Sequence, residues 1–162
     1  YTMFDGEACF TPERAGAIPA LPLINMCYSG EFTKEQMMKK MAGKGGLAAY
    51  FGTNNALEIS NRAQAGDKEA SLVFDAMLAR AAACIGETAA LAKGRVDGII
   101  LTGGMAKGKD VTDGIADYVS YIAPVTVYPG EFEMETFAQF GNNVLDGKIS
   151  VPPFDAEKVS ML

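Results

Sequence analysis

Arg14 is the first side chain of the sequence that could act directly on a substrate. It is the only cation among the first 33 residues and lies in the segment Phe10-Thr11-Pro12-Glu13-Arg14-Ala15-Gly16, whose glycine, proline and small polar residues predict a loop. A guanidinium in such a loop is suited to binding a carboxylate or a phosphate through two parallel hydrogen bonds. A solvated loop arginine is the alternative, and spacing alone leaves both interpretations open.

Gly103 and Gly104 could bring the backbone close to a ligand. They follow Val96-Asp97-Gly98-Ile99-Ile100-Leu101-Thr102, an apolar run that predicts a strand buried on both faces. Ligands of open α/β sheets bind beyond the carboxyl ends of the strands, and a turn without side chains allows close approach there. An ordinary tight turn into the next helix is the alternative.

Glu131 and Glu133 follow a second apolar run, residues 124–128. A helix predicted at 111–122 would join the two strands in a right-handed crossover, so that both strands are parallel and end at the same edge of the sheet. Carboxylates at that edge are what magnesium-dependent phosphoryl transfer needs. The alternative is that they only complement the dipole of the following helix.

Two shorter helices are predicted between Arg14 and residue 43. The dense apolar residues from 21 to 28 predict a short buried helix. Thr33 and Gln36 have capping-box spacing, which places the start of a second helix there and its end near 42–43.

The glycine-rich residues 44–52 lack the order of a phosphate-binding loop, and we expect a flexible turn and a short strand instead. Asn54 and Asn55 then either cap a helix at 56–65 or face a ligand with their amides. A long helical pattern covers 68–93, and its many alanines would allow close packing or a subunit interface.

Composition excludes several classes of function. The net charge is −6, which argues against nucleic acid as a partner, and no apolar stretch is long enough to cross a membrane. There is no histidine, which removes Ser-His and Cys-His nucleophiles and imidazole metal sites. Three widely spaced cysteines predict reduced, mostly buried thiols in a cytoplasmic protein.

Five segments occur in an order that characterises a known family. They are residues 10–16, Gly43-Lys44-Gly45-Gly46-Leu47, Gly52-Thr53-Asn54-Asn55, Leu101-Thr102-Gly103-Gly104-Met105 and Ile122-Ala123-Pro124-Val125 to Tyr128-Pro129-Gly130-Glu131. Together they closely resemble the butyrate kinases, relatives of the acetate kinases. The resemblance implies an α/β fold, the carboxy-terminal domain of an actin-like (ribonuclease H-like) ATPase, incomplete, with a parallel βαβ core and helices packed on it.

The same resemblance implies the chemistry. Butanoate and ATP would give butanoyl phosphate and ADP, or the reverse, with Mg²⁺ as cofactor. Arg14 would bind the carboxylate or the transferring phosphate, and Glu133, or Glu131, would support the metal through water. The nucleotide would contact the following residues: Asn54, Asn55, Thr102, Gly103 and Gly104.

The resemblance also concerns domain organisation. Relatives are about twice as long, so residues 1–162 would be the carboxy-terminal nucleotide-binding portion of a two-domain kinase, with a terminal extension at 147–162. We expect this portion alone to be inactive and the protein to be a homo-oligomer. Two alternatives stay open: a non-catalytic nucleotide-binding or dimerisation module, and a kinase for acetate, propionate or a branched acid. Similar proteins often have aspartate and arginine where Asn55 and Leu57 stand, which implies different contacts beside the adenine in this chain.

Overall fold

The computed structural model describes residues 9–152. The last ten residues of the expected extension, 153–162, lie outside the described part. The helices, strands and one 3₁₀ turn follow each other in this order: α1 Ala20–Tyr28, α2 Lys34–Met41, α3 Gly46–Phe51, α4 Ala56–Gln64, α5 Lys68–Leu91, β1 Ile99–Gly103, the 3₁₀ turn Gly104–Lys107, α6 Lys109–Val119, β2 Val125–Pro129 and α7 Glu133–Leu145.

The chain forms two compact units. The first ends at Pro129 and contains both strands and α1 to α6, and the second begins at Gly130 and contains α7. Each is described by itself below. Arg14 and the Gly103-Gly104 turn belong to the first unit, and Glu131 and Glu133 belong to the second.

The two strands pair in parallel, as the sequence predicts. Their register runs from Ile99 opposite Val125 to Gly103 opposite Pro129, and the Ile99 N–H donates to the Pro124 carbonyl at 2.9 Å. Parallel neighbours require a crossover connection, which α6 supplies. The βαβ arrangement is therefore confirmed, and it places the glycine turn at the carboxyl end of β1.

The prediction that β1 is buried on both faces is wrong. Burial alternates along the strand: Ile99 is 7% exposed, whereas Ile100 is 65% exposed. Ile99 belongs to the core made by α5 and α6, and Ile100 points to the opposite face of the pleat. Within the described part of the first unit the helices therefore cover one face of β1.

The core is built around α5, the 24-residue helix that the sequence predicts. Asp67 caps it by accepting hydrogen bonds from the Glu69 and Ala70 N–H groups, and the hydrogen bond from Ala70, followed by that from Arg62, lowers the pKa of Asp67. Helices α4 and α6 both pack on α5. The buried cluster contains Leu47, Ile59, Ala70, Val73, Phe74, Met77, Leu78, Ala82, Ile99, Val111, Ile115, Val119 and Ala123.

Two predicted elements differ from the structure. Helix α1 forms, but Leu21, Ile24 and Tyr28 are 75%, 50% and 87% exposed, so it is not part of the core. Apolar side chains make the burial of a helix favourable. In the structure, however, no apolar layer of the described residues covers α1. Residues 44–52, expected as a turn and strand, form α3 instead. The Leu47 and Ala48 N–H groups donate to a loop rather than to a neighbouring strand.

The capping predictions are confirmed. Thr33 accepts from the Gln36 N–H, and the Gln36 side chain accepts from the Thr33 N–H, which forms a complete capping box at the start of α2. Asn55 caps α4 by accepting from the Glu58 N–H at 3.2 Å. These short-range signals place the helix starts correctly because each cap satisfies N–H groups that lack a partner within the helix.

Candidate functional site

The loop that carries Arg14 is held by peptide groups. The Thr11 N–H donates to the Arg14 carbonyl at 3.1 Å, and the Arg14 N–H donates to the Thr11 hydroxyl at 3.0 Å. Arg14 also forms an isolated antiparallel bridge with Ala42, beside which the Gly43 N–H donates to the Glu13 carbonyl at 2.8 Å. The backbone is fixed on both sides while the Arg14 side chain stays exposed, so the guanidinium is free to meet a ligand.

Gly46 makes the close approach of α3 to this loop possible. Its φ is +59°, and a Cβ placed on it would lie 1.8 Å from the Thr11 carbonyl oxygen. The next two N–H groups, of Leu47 and Ala48, donate to the Thr11 and Pro12 carbonyls at 3.3 and 2.9 Å. Helix α3 therefore supports the Arg14 loop through its first turn, and only glycine fits at the contact.

Asn54 lies next to the same loop. Its Nδ2 donates to Oε2 of Glu13 at 3.3 Å, across 41 positions of sequence. Asn54 and the loop that carries Arg14 therefore lie on neighbouring parts of the surface. The side-chain oxygen of Asn55 caps α4, and the assignment of Asn55 to a ligand stays a prediction.

A cavity of about 810 Å³ adjoins Asn54. Three lysines line it, Lys39, Lys40 and Lys44, together with Gln36 and Thr53. Three ammonium groups around one cavity favour an anionic ligand. The sequence interpretation missed these residues, although four lysines fall within residues 34–44 of a chain whose net charge is −6.

The glycine turn after β1 is open. Gly103 has φ +88° and ψ −177°, a conformation that is essentially restricted to glycine, and no atom lies within 4 Å of the position its Cβ would take. Gly104 and Thr102 are exposed. A turn of this shape presents peptide groups to a ligand without obstruction, while the assignment of Thr102, Gly103 and Gly104 to a nucleotide stays a prediction.

A second cavity, of about 540 Å³, lies between α5 and β1. No charged side chain lines it, and Thr102 and Met105 form part of its wall near the glycine turn. It suits an apolar group rather than a phosphate. Cys9 and Cys84 of α5 also line this cavity.

Ser60 connects the two candidate ligand loops. It lies in α4, which follows Asn54, and it donates to Oδ2 of Asp110 in α6, which follows the glycine turn. Ser60 is 3% exposed and also accepts from Gln64 Nε2 at 3.2 Å. This hydrogen bond therefore joins α4, which follows the segment that contains Asn54, to α6, which follows the glycine turn.

Replacing Ser60 with alanine should lower the free energy of unfolding by about 1–3 kcal/mol, because the partly buried Asp110 carboxylate loses its donor. Urea denaturation measures the change. Ser71→Ala is the matched control: the Ser71 hydroxyl contacts Asp75 at 3.4 Å in an exposed setting, and its loss should cost less than about 0.5 kcal/mol. Equal losses of unfolding free energy in the two variants would show that the hydrogen bond between Ser60 and Asp110 does not stabilise the fold.

Glu131 and Glu133 are exposed residues of the second unit. Glu133 begins α7, and Glu131 precedes it by two positions. No three acidic or cysteine side chains converge on a possible metal site within residues 9–152. Mg²⁺ typically keeps several waters and takes one or two carboxylates plus phosphates, so the donor chemistry of these exposed carboxylates fits it.

Comparison with known proteins places the chain in a family. Residues 11–123 match the Acetokinase family. Butyrate kinase 2 of Clostridium acetobutylicum is 49% identical over 89% of this chain and 40% of its own length. The probable butyrate kinase 2 of Caldanaerobacter subterraneus subsp. tengcongensis is 50% identical over 86% of this chain and 39% of its own. The chain thus spans about 40% of the length of these curated relatives.

Solved structures agree at the level of the fold. The acetate kinase of Entamoeba histolytica superposes with a TM-score of 0.72 over 85% of this chain and 42% of its own, at 18% identity. The acetate kinase of Porphyromonas gingivalis gives 0.70 over 82% and 40%, at 16% identity. The α/β fold expected from the sequence is confirmed. None of the helices within residues 9–152 is sufficiently long and apolar to cross a membrane. The family match covers well over half of the sequence, and the chain therefore belongs to the acetokinase family.

Proposed function

We propose that this chain is the nucleotide-binding, carboxy-terminal part of a butyrate kinase, which transfers a phosphoryl group between ATP and butanoate. The observation that carries the proposal is the position of the Arg14 loop: Glu13 contacts Asn54, and Asn54 lines a cavity with three lysines. A guanidinium and an anion-binding cavity on neighbouring surfaces are what a reaction between a carboxylate and a polyphosphate requires. The two relatives named above support butanoate as the acid.

The chemistry needs no histidine. A carboxylate is already an anionic nucleophile, so catalysis depends on alignment and on neutralising charge in the transition state. Arg14 would neutralise and orient the carboxylate or the transferring phosphate, and the Thr102-Gly103-Gly104 turn would hold the adenosine. Bound Mg²⁺ would supply charge neutralisation at the phosphates, and Glu133 or Glu131 would hold it through water.

Activity requires more than these residues, in our proposal. The chain spans about 40% of its curated relatives, and we infer that both substrates cannot be held by residues 1–162 alone. We further infer a cytoplasmic homo-oligomer. Trapping of butanoyl phosphate with hydroxylamine should therefore detect no turnover by this polypeptide. Ordinary turnover would overturn the inference, and comparison of acetate, propionate and butanoate would then identify the acid.

Nucleotide binding tests the proposal directly. Calorimetric titration with Mg-ADP should show binding by the chain, and Gly103→Ala should weaken it at least tenfold, because a methyl group occupies the open side of the turn and strains the backbone. Gly94→Ala is the control, since Gly94 also has a positive φ, +71°, with open space around it, but lies at the end of α5. It should bind like the wild type.

The outcomes of this titration separate the candidate functions. Binding that both variants retain would show that the glycine turn does not contact the nucleotide. Dimerisation in solution without nucleotide binding would favour the non-catalytic module.

A further inference from the structure

A third cavity, of about 450 Å³, adjoins the loop of residues 10–16 and borders α1, α3 and α5. Much of its wall is apolar. Phe10 and Tyr50, whose ring centroids are 6.1 Å apart, contribute aromatic surface, and Ile18 and Met26 contribute aliphatic surface. Such a wall favours a ligand with a hydrocarbon part, because binding removes apolar surface of both partners from water.

The charged side chains of this wall are all cationic. They belong to Lys40, Lys44 and Arg80, and no acidic residue of the described chain lines the cavity. Neither lysine forms an ion pair within residues 9–152. The Nζ atom of Lys40 lies 4.6 Å from the centroid of the Phe32 ring, a cation–π contact that leaves its charge unneutralised. The cavity therefore favours an anionic ligand.

Arg80 provides the observation that points most directly to a ligand. Its Nε is buried, and among residues 9–152 it is the only buried side-chain nitrogen or oxygen without a hydrogen-bond partner. Nη1 of Arg80 lies 3.7 Å from Oε1 of Glu87, which is too far for a hydrogen bond. Because buried polar groups almost always have a partner, an unpaired guanidinium Nε at the wall of a cavity indicates a missing acceptor.

We propose that this cavity is a binding site for an aliphatic monocarboxylate, with the carboxylate on Arg80 and the hydrocarbon tail against Phe10, Ile18 and Met26. The inference rests on the unpaired Nε and on the apolar wall, and it does not depend on the proposed kinase activity. Arg14, to which that activity assigns the carboxylate, does not line the cavity. The cavity is therefore a second site for this class of ligand.

The geometry of a guanidinium fits a carboxylate at this position. The Nε–H and the neighbouring Nη2–H point in the same direction, and their spacing matches the two oxygens of one carboxylate. The long contact with Glu87 involves Nη1, so it leaves this edge of Arg80 unoccupied. The Arg80 side chain is 33% exposed, which gives the guanidinium room to turn that edge toward the cavity.

The apolar wall distinguishes a fatty carboxylate from a small inorganic anion. Phosphate would satisfy Arg80 but would leave Phe10 and Met26 in contact with water, and an alcohol would cover the wall without neutralising the cations. An anion with a hydrocarbon tail does both. Each methylene group that the wall buries should raise the affinity by up to about fourfold.

Helix α1 would gain cover from the ligand. Met26 lines the cavity, whereas Leu21 and Tyr28 of the same helix are exposed. Cys27 is exposed as well, so the expectation of mostly buried thiols is wrong for this residue. A tail packed on Met26 buries part of α1, and saturation with the ligand should raise the melting temperature of the chain.

Calorimetric titration with hexanoate tests the site. Hexanoate should bind more tightly than acetate, which lacks the tail, hexanol, which lacks the charge, and inorganic phosphate. Arg80→Gln should weaken hexanoate binding about tenfold because the bidentate pair is lost, and Arg80→Lys, which restores only the charge, should recover part of the affinity. Arg95→Gln is the matched control, since Arg95 is exposed and does not line the cavity. It should bind like the wild type.

Met26→Ala tests the position of the tail. It should weaken the binding of hexanoate and leave that of acetate unchanged. Leu21→Ala is the control in the same helix, since Leu21 is 75% exposed and does not line the cavity. Nuclear Overhauser contacts between hexanoate and the Met26 methyl group should place the ligand in the cavity of the unsubstituted chain, so the test remains decisive even where Arg80→Gln fails to fold.

Other outcomes overturn the proposal. Equal affinity for hexanol and hexanoate would show that no cation pairs with the carboxylate, and phosphate binding as tight as that of hexanoate would show a site for inorganic anions. Loss of hexanoate binding in Arg14→Gln but not in Arg80→Gln would place the carboxylate on the Arg14 loop. Undetectable hexanoate binding would rule out the site, whereas the Mg-ADP titration would still test the proposed function.

Discussion

Replacing Gly46 with alanine is expected to lower the free energy of unfolding by about 3–5 kcal/mol, the largest loss we expect from adding a single methyl group to this chain. The added Cβ would lie 1.8 Å from the Thr11 carbonyl oxygen and 2.9 Å from the Arg14 carbonyl oxygen. Both are backbone atoms, so no rotamer change relieves the overlap. The loop and the first turn of α3 must separate, and the hydrogen bonds from Leu47 and Ala48 break.

Gly52→Ala is the matched control for Gly46→Ala. Gly52 ends the same helix with φ +71°, and no atom lies within 4 Å of its added Cβ. Its substitution carries the left-handed backbone strain of about 1–2 kcal/mol without the overlap. Urea denaturation of both variants measures their losses of unfolding free energy. The difference between the two losses is the cost of the overlap with the Arg14 loop, because both variants carry the backbone strain. A cost for Gly46→Ala no greater than that of Gly52→Ala would show that α3 does not press against the Arg14 loop.

Phe74→Ala should cost about 3–5 kcal/mol, because it empties the largest side-chain volume in the core that α5 contributes. Phe74 is 5% exposed and belongs to the cluster that joins α4, α5 and α6. Both candidate ligand loops are attached to helices that pack on this cluster. The variant should therefore lose nucleotide binding in parallel with the folded fraction, as followed by circular dichroism and calorimetry at increasing urea.

Leu72→Ala, two residues away in the same helix, is the control for Phe74. Leu72 is 71% exposed, so its truncation should change stability by less than about 0.5 kcal/mol. Each substitution improves helix propensity by less than about 0.7 kcal/mol, which leaves burial as the main difference between them. Similar losses at the two positions would mean that the assigned buried face of α5 is wrong.

Short-range chemistry made much of the fold predictable. The capping pair Thr33 and Gln36 and the cap Asn55 each act within three residues, so the sequence contains everything needed to place those helix starts. The parallel βαβ unit was predictable for a related reason. Two apolar runs separated by a helix leave few arrangements, and the crossover rule selects among them.

The errors concern contacts made by distant segments. Residues 44–52 were expected to form a strand because glycine pairs often mark turns, but Gly45 and Gly46 serve a packing contact with residues 11–15, which the local sequence does not contain. Helix α1 and Ile100 were expected to be buried because they are apolar. The apolar character of a side chain determines how much free energy its burial contributes. It does not identify which segment of the chain will bury that side chain.

The candidate site was predictable only in its parts. The Arg14 loop and the glycine turn could be singled out by residue type, and the resemblance to a family assigned them roles. The contact between Glu13 and Asn54, the lysine-lined cavity and the hydrogen bond from Ser60 to Asp110 depend on tertiary packing. Lys39 and Lys40 of α2 and Lys44 of the following turn were missed because lysines on a helix or in a turn ordinarily face solvent.

The Arg14 loop has a consequence for how this chain can change in evolution. Its shape is maintained largely by backbone groups: the carbonyl groups of residues 11–14 accept hydrogen bonds, and the N–H groups of Thr11 and Ala15 donate them. At positions 13 and 14 every amino acid except proline supplies the same backbone groups. Substitution of the side chains at positions 13 and 14 would leave those hydrogen bonds in place. The loop can therefore acquire a new ligand preference by one exposed substitution, while the neighbouring glycines, which have no such freedom, remain fixed.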